Sequence, residues 1–277
     1  MSRMPDDSES RPGSTTSLVR SIVGLYLRRL DGWIATAHLV ALLEDLGVPA
    51  ALGRTAIARV KQKNLLVSER NSRGVGYRLN ADAVGMLRAG DRRIFAPRRM
   101  AADDPWCLVS FSIPEHDRAL RHQLRHRLRW ISCGTVSPAL WICPAFLSGE
   151  VEEILDDLCL RQHATVFTAT DARGAASLRD SVASWWDLPG IAALHDEFIT
   201  VASLLLSTAP TDGADAFRRY VRGLDTWRPI PYLDPGLGVD LLPADWSGHR
   251  SENLFAQFSE RLAGPALDHV LARVTTP

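Results

Sequence analysis

PAALGRTAIARVKQKN, residues 49–64, carries two different faces when wound as a helix. Pro49 suits a first helical turn, because its fixed φ is already helical and its missing N–H would have had no partner there. Gly53, Ala56, Ile57 and Val60 recur at three- and four-residue spacing and face inward. Arg54, Thr55, Ala58, Lys61 and Gln62 face outward together. Arg54 suits a two-hydrogen-bond contact with a guanine edge, Thr55 can reach a base or a phosphate, and the small Ala58 permits close approach to a groove. Arg59 and Lys63 add positive charge to the same helix.

Upstream, Leu39, Leu42, Leu43 and Leu46 form one apolar stripe, expected to start at a Thr36 cap and to stop at Gly47, where a left-handed residue is wanted. Helix, tight glycine turn and a second helix with a basic, small-residue outer face make a helix-turn-helix. Further upstream, Val19, Ile22, Val23, Tyr26 and Leu30 mark a first helix, Asp31-Gly32 breaks it, and Trp33-Ile34 reads as a short strand. Downstream, Asn64 suits a left-handed cap, Leu65-Leu66-Val67 opens a strand, and Val75, Tyr77 and Leu79 alternate along a second. The turn between them, Arg70-Asn71-Ser72-Arg73-Gly74, places two arginines near the tip of a hairpin wing, suited to phosphate or a minor groove. With Arg78 on the second strand, these residues complete the expected DNA-facing set of a winged helix-turn-helix over 17–80. Residues 1–16, rich in Ser, Asp, Arg and Pro and without an apolar core, are expected to be a disordered tail rather than a secretory signal.

The formal charge sums to zero over 277 residues but is divided unevenly. Residues 1–100 hold 17 Lys and Arg against 9 Asp and Glu, a net +8, and the remainder carries −8. Contact with a polyanion is therefore expected at the N-terminal end. The longest apolar run, around Ile199–Leu206, falls short of a membrane span, so no membrane partner is expected. Cys107, Cys133, Cys143 and Cys159 lack a CxxC spacing and are expected as buried free thiols of a cytoplasmic protein.

Residues 81–104 read as a linker with Arg88, Arg92, Arg93, Arg98 and Arg99, helical over Ala81–Leu87 and irregular toward Pro97. Over 105–175 the pattern predicts strand Trp106–Ile113, helix Glu115–Trp130, strand Ala139–Cys143, helix Val151–Leu160 and strand Ala164–Ala169, a small α+β domain. Residues 176–277 are expected to be mostly helical, with apolar stripes Leu194, Phe198, Val201, Leu205 and Phe217, Tyr220, Val221, Leu224, and to serve dimerisation and effector sensing. Trp185, Trp227, Tyr232 and Trp246, with Arg222, Arg228, His249 and Arg250, have the chemistry of a pocket for an aromatic acyl group with an anionic tail. His122 and His126 stand four apart, but the arginines around them oppose a cation. No GxSxG, P-loop, GxGxxG or HExxH occurs, so no catalytic residue, metal or cofactor is expected. The alternative is an enzyme acting on CoA esters, or a nuclease, built on the middle and C-terminal parts.

Four motifs in order resemble the PaaX family, repressors of phenylacetic-acid catabolism and related regulators. Arg54-Thr55-Ala56-Ile57-Ala58-Arg59-Val60 is similar to the family's R-T-A-x-x-R-L segment. Trp106-Cys107-Leu108-Val109-Ser110-Phe111-Ser112-Ile113-Pro114-Glu115, with Arg118, Arg121 and Leu124, is the second, and Leu140-Trp141-Ile142-Cys143-Pro144 is the third. Asp234-Pro235 followed by Leu241-Leu242-Pro243-Ala244-Asp245-Trp246-Ser247-Gly248 is the fourth. The chain departs from the family pattern at Asn64-Leu65, at Leu237-Gly238 and at Asp225-Thr226-Trp227-Arg228. The resemblance implies an α+β protein with a winged helix, a ferredoxin-like middle domain and a helical C-terminal domain. It also implies a homodimer on a partly palindromic double-stranded DNA operator, released by a small-molecule effector such as phenylacetyl-CoA or another acyl-CoA.

Overall fold

A first helix, α1 (Thr15–Tyr26), starts where Ser14 turns its hydroxyl back to accept the Ser17 N–H at 3.2 Å. The computed structural model describes residues 11–173 and 177–275. Residues 1–10 of the expected tail, and the expected boundary between 175 and 176, lie outside the described residues. Residues 11–16, also expected in that tail, instead cap and begin α1.

After a 3-10 turn at Leu27–Leu30 come β1 (Trp33–Ala35), α2 (Thr36–Asp45), α3 (Ala50–Gln62), β2 (Leu66–Asn71), β3 (Gly74–Leu79) and α4 (Ala81–Phe95). The cap expected at Thr36 differs: Thr36 is already helical, Ala35 holds the N-cap position, and no side chain caps this helix. Helix α4 runs on to Phe95, well past Leu87, so the expected linker is ordered for most of its length.

The middle of the chain supplies β4 (Trp106–Phe111), α5 (Arg118–Trp130), β5 (Gly134–Ser137), β6 (Leu140–Pro144), α6 (Ser148–Asp157) and β7 (Ala164–Ala169). Of these β5 escaped the sequence reading, because four residues bounded by Cys133 and Pro138 show too little alternation. The strands form one antiparallel sheet in the order β5-β6-β4-β7. The last third holds α7 (Leu178–Trp185), α8 (Leu188–Leu206), α9 (Gly213–Trp227), α10 (Ile230–Leu233) and α11 (Gly248–Thr275). The fold is thus the expected α+β class with a helical C-terminal part.

Two compact units emerge, each assembled from separated stretches. One takes Arg92–His195 and Pro229–Gly248 and contains the four-stranded sheet. Along its β4, Trp106 and Leu108 point into a cluster with Ile142, Val182, Trp186, Leu237, Leu242 and Trp246. Cys107, Val109 and Phe111 point the other way by strand alternation. On that side Arg129 of α5 stands over the Trp141 ring at 5.5 Å. Arg93, assigned to a linker by the sequence, is built into this unit: it pairs with Glu150 and donates to the Pro231 and Ile131 carbonyls. Three cysteines are buried as expected, but Cys159 is exposed, in a left-handed turn with φ 55°. Buried His195 meets Asp234 at 3.1 Å, and Asp234 also accepts the Gly236 N–H.

The other unit runs through Asp91 and adds Asp196–Arg228 and the chain from His249 onward. Its core sets Phe198 against Trp227 at 5.0 Å and stacks Trp227 on Phe255 at 4.6 Å. Such ring pairs add about 0.5–1.5 kcal/mol each beyond the area they bury. Asp225 of α9, 1% exposed, accepts hydrogen bonds from the Gly13 N–H and from the Ser17 and Ser21 hydroxyls. Arg228 stands within 3.6 Å of the same carboxylate.

Helix α8 has a mean hydropathy of 1.3 over its membrane-length window and 19 residues, enough by length and composition to cross a membrane. The expectation that no run reached this length missed it, because Asp196 and Glu197 interrupt the stretch in sequence. An aspartate at a bilayer centre costs about 2.5–3.5 kcal/mol. That charge, and the burial of Phe198, Ile199 and Ala202, fit a helix packed on protein.

Removing the buried Asp225 carboxylate takes the acceptor from two hydroxyls and an N–H and the counter-charge from Arg228. Asp225→Ala is expected to lower the unfolding free energy by about 3–5 kcal/mol, read by urea titration. Burial works to raise the Asp234 carboxyl, but the His195 hydrogen bond and charge and the Gly236 N–H outweigh it and hold it below its ordinary value. A carboxyl depressed by folding stabilises fully above its unfolded value of about 3.9 and loses that contribution as pH falls through its folded value. Asp234→Asn is therefore expected to flatten the acid limb of the stability profile below about pH 4, measured by urea unfolding at a series of pH values.

Candidate nucleic-acid interface

The turn between α2 and α3 is closed by backbone. Gly47, at φ 80°, donates to Glu44, and Val48 donates to Leu43 at 2.9 Å. Only glycine enters that left-handed region without cost, which explains the residue at this corner. Pro49 occupies the N-cap position of α3. Ala56, Ile57 and Val60 are 2% exposed or less, and a Cβ on Gly53 would stand 3.1 Å from Leu43, so α3 lies close on α2. Asn64 then ends the helix at φ 59°, in the left-handed conformation read from the sequence.

The opposite face of α3 exposes Arg54, Thr55, Ala58, Arg59, Lys61 and Gln62, with Lys63 beyond the helix end. The Thr55 hydroxyl donates to the Ala51 carbonyl at 3.1 Å, and Lys61 reaches the Ser68 hydroxyl at 3.4 Å. No acidic side chain occurs between residues 49 and 64. The outer face of the helix is therefore uniformly neutral or positive.

The β2–β3 hairpin pairs Arg70 with Val75 and Asn71 with Gly74 across a two-residue turn. The Asn71 side chain accepts the Arg73 N–H at 2.8 Å, fixing the tip. Arg73 lies over the Trp33 ring at 4.5 Å, a contact that orients the guanidinium while leaving the residue exposed. Arg70 is exposed. Arg78 is different: its guanidinium bonds both oxygens of Glu69, whose carboxyl is held below its usual range by that bond. Its charge is already answered within the sheet. The Gly76 position of β3 sits against Trp33 and the Ile34 carbonyl, where a Cβ would come within 2.3 Å of backbone oxygen.

The C-terminal helices brace this module within the same unit. Arg222 of α9 donates to the Leu46 carbonyl at 2.9 Å, at the end of α2. His269 and Arg273 of α11 both reach Asp45, at 2.9 and 3.3 Å. Tyr26 of α1 faces Phe217 of α9 with ring centroids 5.9 Å apart. Sequence reading missed this bracing, since each contact joins residues far apart along the chain.

The residues read as a ligand pocket are divided between the two units. Trp185 is half-buried against Trp186, Tyr232 stacks on Trp130 at 5.5 Å under the Arg93 guanidinium, and Trp246 meets His195 edge-on. These three belong to the unit with the four-stranded sheet. Arg222, Trp227, Arg228, His249 and Arg250 belong to the unit that holds α1–α3 and the β2–β3 hairpin. Within it, Trp227 is core, Arg222 holds α2, Arg228 donates to Ser17, and His249 is exposed. Arg250 lines a groove of about 490 Å³ with Ser203, Asn253, Leu254 and Gln257.

Comparison with known proteins places three consecutive domain families on the chain. Residues 14–83 match the PaaX-like protein family, 99–182 the PaaX protein central Cas2-like domain, and 186–272 the PaaX-like protein C-terminal domain. The transcriptional repressor PaaX of Escherichia coli K12 is 28% identical over 267 residues, covering 94% of this chain and 84% of that protein. An uncharacterized protein of Mycobacterium tuberculosis has a similar structure, with a TM-score of 0.58, 25% identity, and 91% of this chain and 98% of that one covered. Motifs, domain order and fold agree: the chain belongs to the PaaX family.

Proposed function

We propose that the protein is a transcriptional repressor that binds double-stranded DNA through its winged helix, with α3 in the major groove and the β2–β3 wing on the backbone. The face of α3 carries this reading: exposed Arg54 and Arg59 on a helix with no acidic residue, held at a rigid glycine corner. A helix of this kind docks by phosphate contacts and reads base edges from its N-terminal turns. The Escherichia coli relative, a transcriptional repressor, supports the same reading.

In this reading the protein acts in the cytoplasm as a homodimer, occluding a promoter with two helices on a partly palindromic site. Release follows from a small anionic effector of the aryl- or acyl-CoA class, bound by the helical C-terminal part. The groove at Arg250 supports an anion-accepting site, with a volume inside the range of about 300–1,000 Å³ usual for ligand pockets. Helix α11 lines that groove and also carries His269 and Arg273, which clasp Asp45 of α2. A ligand that favours one setting of α11 would thereby bias the helix-turn-helix. No catalytic step enters this account.

Mobility shift on duplexes selected from a random library, and on DNA upstream of the protein's own gene, tests the proposal at low salt. Arg54→Ala is expected to cost about 1–3 kcal/mol and to relax selectivity at one base pair. Arg70→Ala should weaken all duplexes alike and reduce the salt slope by about 0.9, the mark of a lost phosphate contact. Glu69→Ala frees the Arg78 charge and should steepen the slope by about the same amount. Absence of any bound duplex at low salt would overturn the proposal.

A further inference from the structure

The residues flanking Arg54 on α3 have a chemistry that its basic character does not account for. Leu52, in the first turn, is 56% exposed, although every other leucine from Leu18 to Leu46 is 9% exposed or less. Ala51 beside it is exposed, as are Thr55 and Ala58 one and two turns on. The Thr55 hydroxyl donates its one proton to the Ala51 carbonyl, and its methyl is the apolar part of this exposed side chain. The exposed face of α3 thus carries four aliphatic groups, those of Ala51, Leu52, Thr55 and Ala58, among Arg54 and Arg59.

An exposed leucine here cannot be credited to the internal core, because Gly53, Ala56, Ile57 and Val60 already fill the buried side. In a helix-turn-helix the N-terminal residues of the second helix are those that meet base edges. The apolar feature that the major groove offers is the thymine C5-methyl, and apolar side chains are its partners. Resting on the DNA-binding reading above, we infer that Leu52 is a specificity-determining residue that packs on thymine methyl groups, with Ala51 and the Thr55 methyl beside it. Arg54, two residues on and therefore at the other edge of the exposed face, supplies a guanine contact within the same site. Phosphate neutralisation belongs to Arg59 and to the wing.

Duplexes selected by the wild-type chain from a random library provide the probe. In the best of them each thymine is replaced in turn by deoxyuridine, which keeps the base pair and removes only the methyl. Loss of one buried methyl is worth about a fourfold change in Kd. We expect this loss at one or two positions per bound site. Leu52→Ala, at an exposed helix position where alanine is favourable, should keep the fold and bind the unmodified duplex roughly tenfold more weakly. In that variant the same deoxyuridine replacements should have no effect, a non-additivity that a merely structural role for Leu52 would not produce. Deoxyuridine that costs nothing at any position, or that costs Leu52→Ala as much as wild type, overturns the inference while leaving DNA binding intact. Failure to select any duplex removes the DNA-binding reading itself, and this inference with it.

Discussion

The Asp225 carboxylate, 1% exposed inside α9, holds together two parts of the chain that lie more than two hundred residues apart. It accepts from the Gly13 N–H at 2.6 Å and from the Ser17 and Ser21 hydroxyls at 2.6 and 2.9 Å, while Arg228 answers its charge. A buried carboxylate is tolerable only with this degree of hydrogen bonding, so α1 and α9 must dock in one register. Helix α1 in turn packs on α3, and the residues that face outward from α3 take their direction from that packing. The presentation of the candidate recognition face thus depends on a carboxylate supplied by the opposite end of the sequence.

The same logic recurs at lower burial. Arg222 donates to the Leu46 carbonyl at the end of α2, and near the same helix end Arg273 answers the charge of Asp45 while His269 meets the same carboxylate at 2.9 Å. Each is a polar side chain closing a terminus whose backbone or side-chain groups would otherwise face water. The bracing converts a small three-helix module, too small to bury much apolar surface alone, into part of a larger core with Phe198, Trp227, Phe255 and Phe258 at its centre. The helices and hairpin supported in this way belong to the same unit as the groove at Arg250.

The helices α2 and α3 and the β2–β3 hairpin were legible in the sequence because their signals are local. Gly47 and Asn64 mark the two left-handed corners, Pro49 opens α3, and the two-residue wing turn sits between alternating strands. The strands β4 and β7 were equally plain, and β5 was not, since a four-residue edge strand has almost no period to detect. The return of α9 and α11 to the N-terminal helices left no local mark: Arg222 and Arg228 look like anion binders in sequence, and only their partners identify them as braces. Trp227, 1% exposed, is ambiguous in the same way, since aromatic bulk reads alike in a pocket and in a core. The exposure of Leu52 has no local mark either, because an apolar residue within a helix reads as a buried one.

Guanine N7 methylation interference on a selected duplex tests the central claim, that α3 enters the major groove. The account predicts that methylation of guanine N7, which lies in that groove, abolishes binding at one or more positions of the site. Interference from adenine N3 in the minor groove alone, or none at any base, would contradict it.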